Sequence, residues 1–163
     1  MPSFDIINKL DLQKIDNAIN TAKKELLNRY DLKDEECLIE LDKKNKCIHL
    51  EANQEMAVKS LIDIVLSKFT KQQVDPRTLD LEKENHPSGK KILRDLPVKE
   101  GIEKETAKKV VQFIKDTKIK AQASINDDQV RVTAKQIDDL QSIMTKIRSH
   151  DFGIPLQFDN MRS

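Results

Sequence analysis

Few residues in this chain have the types and spacing that chemistry demands. The three histidines, His49, His86 and His150, lie far apart. No H-x-x-x-H or Cys/His spacing joins them into a metal or triad signature, so they read as surface or packing residues. Asp138-Asp139 has the form of a paired carboxylate site, but it opens a helical stretch, where the helix dipole favours negative charge. Asp127-Asp128 reads as a turn. Gly89, Gly101 and Gly153 are too scattered to build a phosphate-cradling loop, and neither a dinucleotide fingerprint nor a nucleophile elbow is present. Cys37 and Cys47 flank one expected hairpin, roughly 15 Å apart at strand rise. That is too far for a disulfide, and two thiols alone make no zinc site. They read as ordinary thiols of a reducing compartment. No enzyme, metal or cofactor is expected.

What remains is cationic. Residues 1–84 hold 14 Lys/Arg against 17 Asp/Glu, a balance of −3, and residues 85–163 hold 15 against 11, a balance of +4. Lys90, Lys91 and Arg94 sit together, Lys118 and Lys120 precede an expected hairpin, and Arg131 and Lys135 lie on and after its second strand. Alternation along strands lets Arg131 and Lys120 share a sheet face. Guanidinium and ammonium groups suit phosphate oxygens, so Arg131, Lys120, Arg94 and Lys135 are the candidate contacts for a phosphate-bearing ligand, against the alternative of a dispersed, solvated charged surface. The whole chain carries only +1, too little for a global field drawing it to nucleic acid or membrane.

The elements that position these residues follow from hydrophobic periodicity. Residues 48–67, IHLEANQEMAVKSLIDIVLS, and residues 130–149, VRVTAKQIDDLQSIMTKIRS, match at an offset of 82. Ile48 falls on Val130, Leu50 on Val132, Leu61 on Ile143 and Val65 on Ile147, apolar on apolar through a strand and then a helix. One fold unit is used twice. Strands are expected at 3–10, 37–41, 46–51, 91–96, 120–125 and 129–134, with short extended pieces at 79–82 and 156–158. Helices are expected at 12–29, 54–69 with Asn53 as N-cap, 103–115 and 136–149. Asp34-Glu35-Glu36 reads as a charged loop.

Each half therefore reads β-α-β-β-α-β. The fold class is α+β: two ferredoxin-like, split βαβ domains, each an antiparallel sheet with two helices on one face. Residues 1–84 form the first domain, 85–90 a linker carrying Pro87, Ser88 and Gly89, and 91–163 the second. An interlocked arrangement, with the first strand of one half paired in the sheet of the other, fits the same sequence. With 35% charged residues and a mean hydropathy of −0.62 the chain reads as a folded soluble protein. No apolar run approaches 18 residues and no signal peptide is read, so membrane contact is not expected and the cytoplasm is the expected location.

The split βαβ plan is shared with RNA-recognition domains, which stack bases on sheet aromatics. Here the third strands, CIHLEA and QVRVTA, point His49, Glu51, Arg131 and Thr133 away from the helices. That face offers charge and one imidazole, which disfavours base-stacking recognition of the usual kind and leaves phosphate binding open.

Several segments carry a resemblance: MPSFDI at the start, NRYDLK at 28–33, GIEKETAKKVVQFIKDTKIKAQASI, DDQVRVTAKQIDDLQ, and FGIPLQFDNMRS at the end. The chain resembles the bacterial YajQ family over essentially its whole length. The resemblance implies a tandem split βαβ fold and a non-enzymatic nucleotide-binding protein. It further implies cyclic di-GMP as a ligand and a transcription regulator as a partner, as in some members, with RNA binding as the alternative. Two positions depart from the family pattern. Ala134 stands where a glycine is usual and would weaken a site that needed ligand to approach the backbone there. Met161 stands where phenylalanine is frequent.

Overall fold

The structure is a computed structural model describing residues 1–163. It contains eight strands: β1 (Ser3–Ile7), β2 (Leu38–Asp42), β3 (Cys47–Ala52), β4 (His86–Ser88), β5 (Lys91–Pro97), β6 (Ala121–Asn126), β7 (Gln129–Ala134) and β8 (Gln157–Arg162). Four α-helices accompany them: α1 (Leu12–Leu27), α2 (Glu55–Lys71), α3 (Lys104–Asp116) and α4 (Ile137–Arg148). The strands form two four-stranded antiparallel sheets, ordered β6-β7-β1-β8 and β2-β3-β5-β4. This is the α+β, twofold ferredoxin-like architecture expected from the repeat.

The chain divides into two compact units, Asp11–Lys99 and Met1–Leu10 with Glu100–Ser163. The division differs from the 1–84 and 91–163 expectation because strand pairing, not glycine and proline content, sets it. β1 pairs with β7 and β8, whereas β5 pairs with β3. Residues 85–90, expected as a linker, hold β4 and the turn into β5, which Gly89 makes at φ +61.

In the Asp11–Lys99 unit, α1 starts where the Asp11 carboxylate accepts from the Lys14 backbone N–H at 3.2 Å. Its stripe Ile15, Ala18, Ile19 and Ala22 is buried, as the three-and-four spacing requires. Lys68 of α2 is buried and donates to Glu25 of α1 at 2.9 Å. α2 begins after Gln54, which makes no side-chain cap, so Asn53 is not the N-cap. Asn53 instead donates its backbone N–H to the Glu35 carbonyl and its side-chain amide to that of Asp34. Those carbonyls belong to a 3-10 helix, Tyr30–Glu35, where a charged loop was expected.

In the other unit, Phe4 and Ile6 of β1 are fully buried with Val130, Val132, Val110, Ile114, Leu140 and Ile143. Each such side chain contributes roughly 2–3 kcal/mol. Ala134 belongs to the same core. Its methyl group therefore lies on the helix side of the sheet, and its N–H donates to the Pro2 carbonyl. Asp138 and Asp139 stand in the first turn of α4, the dipole-favoured place. No helix is long and apolar enough to cross a membrane.

Candidate functional site

Strand register determines which side chains leave each core. On β7, Val130, Val132 and Ala134 are buried while Arg131 and Thr133 are half-exposed. Arg131 stands between Ser124 of β6 and Asp5 of β1, and Thr133 between Gln122 and Ser3. The outer face of this sheet is thus a polar patchwork centred on Arg131.

Arg131 Nε donates to Asp5 Oδ1 at 2.9 Å and Nη2 to Oδ2 at 3.4 Å. Asn160, at φ +53 in β8, donates its amide to the same carboxylate at 2.8 Å. Asp5 is only 1% exposed. A buried carboxylate is costly unless paired and hydrogen-bonded, and this one is both. The Arg131 hydrogen bond outweighs burial and, with Asn160, holds the Asp5 carboxyl below the usual range. The Arg131 side chain nevertheless remains 42% exposed.

Lys120 and Lys135 stand one residue beyond the last β6–β7 pair, Ala121↔Ala134, and so flank the same end of the hairpin. Both are exposed and enter no ion pair. Like charges across a strand pair repel, and an anion placed between them removes that repulsion. Lys118, at φ +60, precedes Lys120 in the same turn.

Arg94 lies in the other unit. It pairs with Leu50 in the β3–β5 ladder, and so belongs to the alternation that turns Leu50 and Leu96 inward. Its Nη1 donates to Asn85 Oδ1 at 3.2 Å and its Nη2 to the Leu81 carbonyl at 2.9 Å. Of the four cations read from the sequence, the first sheet carries or borders three, and Arg94 straps the approach to β4 onto the second.

The outer face of that second sheet is acidic. His49 sits between Glu40 of β2 and Asp95 of β5. Its Nδ1 is 2.6 Å from Asp95 and its Nε2 3.0 Å from Glu51. Burial pushes the imidazole pKa down, but the two carboxylates outweigh it and hold it above 6.5. Cys37 and Cys47 are free thiols whose pKa burial pushes up.

Sequence reasoning did not find two aromatic sites. Tyr30 is 89% exposed in the 3-10 helix, with Lys33 Nζ 5.6 Å from its ring centre, beside a cleft of about 470 Å³. Phe113, His150 and Phe152 pack against one another at the ends of α3 and α4. Period and propensity carried no trace of either, because the rings converge from segments that are distant in the chain or irregular.

A family model described as nucleotide-binding protein YajQ-like matches residues 2–162. The chain belongs to the YajQ-like family. A relative from Cytophaga hutchinsonii, named a nucleotide-binding protein, is 46% identical over 99% of this chain and all of its own length. One of the same name from Nitratidesulfovibrio vulgaris is 46% identical over the full length of both. A more distant family member from Dehalococcoides mccartyi, also named a nucleotide-binding protein, is 40% identical over 99% of both chains.

Proposed function

We propose that this chain is a non-catalytic, cytoplasmic nucleotide-binding protein that takes the phosphates of its ligand on Lys120, Lys135 and Arg131. The observation that carries this reading is the pair of unpartnered ammonium groups flanking one end of the β6–β7 hairpin, with a half-exposed guanidinium on the same sheet. Lys120 and Lys135 supply point charges, and Arg131, already oriented by Asp5, supplies a fixed planar donor. Arg94, engaged with Asn85 and Leu81, stays outside the contact set. Cyclic di-GMP is the ligand to test first, with a transcription regulator as the partner that responds to it. Support for both comes from the family resemblance.

The test is calorimetric titration with cyclic di-GMP, GTP, ATP and a short single-stranded RNA. Cyclic di-GMP binding that falls about tenfold or more in the Lys120→Ala/Lys135→Ala double variant supports the assignment. Unchanged affinity in that variant overturns it. The polar outer face, with Gln122, Ser124, Arg131 and Thr133 side by side, supports RNA as the second reading. That reading requires RNA affinity to drop steeply with salt as counterions are released, and a flat salt response removes it.

A further inference from the structure

The outer face that carries Arg131, Lys120 and Lys135 supplies charge and hydrogen bonds but no aromatic ring, so a nucleotide held there has nothing on which to stack its base. The ring of Phe113 in the last turn of α3 lies 4.7 Å from that of His150, just past α4, at an interplanar angle of 31°. Phe152 closes on both, 4.5 Å from His150 and edge-on to Phe113 at 5.4 Å. Phe113 and His150 wall a cleft of about 350 Å³, completed by Asp116, Thr117, Lys146 and Ser149. That volume lies within the range of small-ligand sites.

The polar lining is rich in acceptors. Thr117 donates its hydroxyl proton to the Ile114 carbonyl at 2.6 Å, and Ser149 donates its own to the Lys146 carbonyl at 2.9 Å. With those protons committed, the Ser149 oxygen offers its lone pairs, and the Thr117 oxygen, which accepts from the Ile119 N–H at 3.3 Å, keeps one. Asp116 accepts one bond from Gln112 through Oδ1 and keeps further acceptor capacity. Two helix C-termini meet here, each the negative end of its dipole. Lys146 is the one cation of the lining.

We propose that this cleft binds a purine base, guanine in preference to adenine. Guanine presents N1–H and N2–H side by side, which one carboxylate accepts together, and its O6 accepts from an ammonium group. Asp116 and Lys146 are that pair. Adenine presents an acceptor N1 next to its N6 amino group, so it meets the same carboxylate with one bond and one repulsion. The ring stacks on the exposed imidazole of His150, which packs against Phe113 and Phe152. Asp116 and Lys120 are four residues apart, at most about 14 Å of chain, so a base here and a phosphate at Lys120 can belong to one ligand. In that last respect the inference rests on the reading proposed above.

The test uses guanosine and adenosine, which carry no phosphate, against the full chain labelled with nitrogen-15. Guanosine is expected to shift the amide signals of Phe113, Asp116 and His150 and to bind several-fold more tightly than adenosine. His150→Ala is expected to weaken guanosine about tenfold through lost stacking, and Asp116→Asn to abolish the preference for guanosine. Both side chains are exposed, and unchanged signals elsewhere show that the variants are folded. Guanosine signals that move elsewhere or not at all, or variants with unaltered affinity and preference, overturn the inference. A chain silent to guanosine that still binds cyclic di-GMP through Lys120 and Lys135 removes the base cleft alone. Guanosine binding in the Lys120→Ala/Lys135→Ala variant with cyclic di-GMP affinity unchanged upholds the cleft and removes the phosphate assignment alone.

Discussion

Arg131 holds a buried carboxylate and offers the rest of its guanidinium to the sheet face, so its removal has two consequences. Arg131→Ala strands the Asp5 charge with Asn160 as its remaining partner, and breaking a buried pair from one side is costly. The thermal midpoint is expected to fall by several degrees, with partial recovery in Arg131→Lys. A midpoint unmoved in Arg131→Ala would contradict the pairing seen in the structure. Loss of ligand affinity in Arg131→Ala therefore mixes folding with binding, which makes Lys120 and Lys135 the cleaner probes. His49 gives the pH dependence on the other sheet. Its folded pKa lies above the ordinary 6.5, so its stabilising contribution is complete below 6.5 and is lost as pH rises through the raised value. Denaturant midpoints measured from pH 6 to 9 are expected to decline in the wild type over that window, and His49→Gln should flatten the decline.

At the scale of elements, the entry to α3 depends on one glycine. Gly101 adopts φ +76, its N–H donates to the Asn8 carbonyl at 2.8 Å, and a Cβ there would stand 2.7 Å from Asp128 Oδ2 and 2.9 Å from Asp128 Cβ. Gly101→Ala is expected to cost about 1–3 kcal/mol, from left-handed backbone strain and the clash with the β6–β7 turn. Urea denaturation measures it, and a loss below a few tenths of a kcal/mol would show that the loop relaxes freely. The elements themselves were largely legible. All four helices and the β2–β3 and β6–β7 hairpins follow from apolar spacing, because each buries one face and exposes the other. The 3-10 helix at Tyr30–Glu35 was not, since a charged segment of six residues shows no periodicity. The start of α2 was misplaced by one residue because the Asn53 side chain turns to a tertiary partner, the Asp34 carbonyl.

For the whole molecule, the strand partners set what can fold alone. Residues 11–99 contain β2, β3, β5 and β4 in one continuous stretch. Residues 100–163 lack β1, which lies between β7 and β8 and brings Phe4 and Ile6 to the core. Expressed alone, 11–99 is expected to give dispersed amide signals and a cooperative melt. The 100–163 fragment is expected to give neither until a peptide of residues 1–10 is added. A cooperative fold of 100–163 without that peptide would contradict the pairing.

The sequence by itself determined the repeat, the fold class and the inward and outward faces of β3 and β7, because those depend on local periods of two and 3.6 residues. It also set the family, through motifs spread from residue 1 to residue 163. Which sheet each first strand joins was settled by tertiary structure, since β1 and β5 carry the same kind of apolar pattern and either sheet could accept them. Tertiary structure also turned Arg94 inward to Asn85 and Leu81, paired Arg131 with Asp5 across 126 residues, and gathered Phe113, His150 and Phe152 around one cleft. Hydrogen-bond partners and ring contacts at such separations leave no local pattern, so they are decided only when the chain has folded.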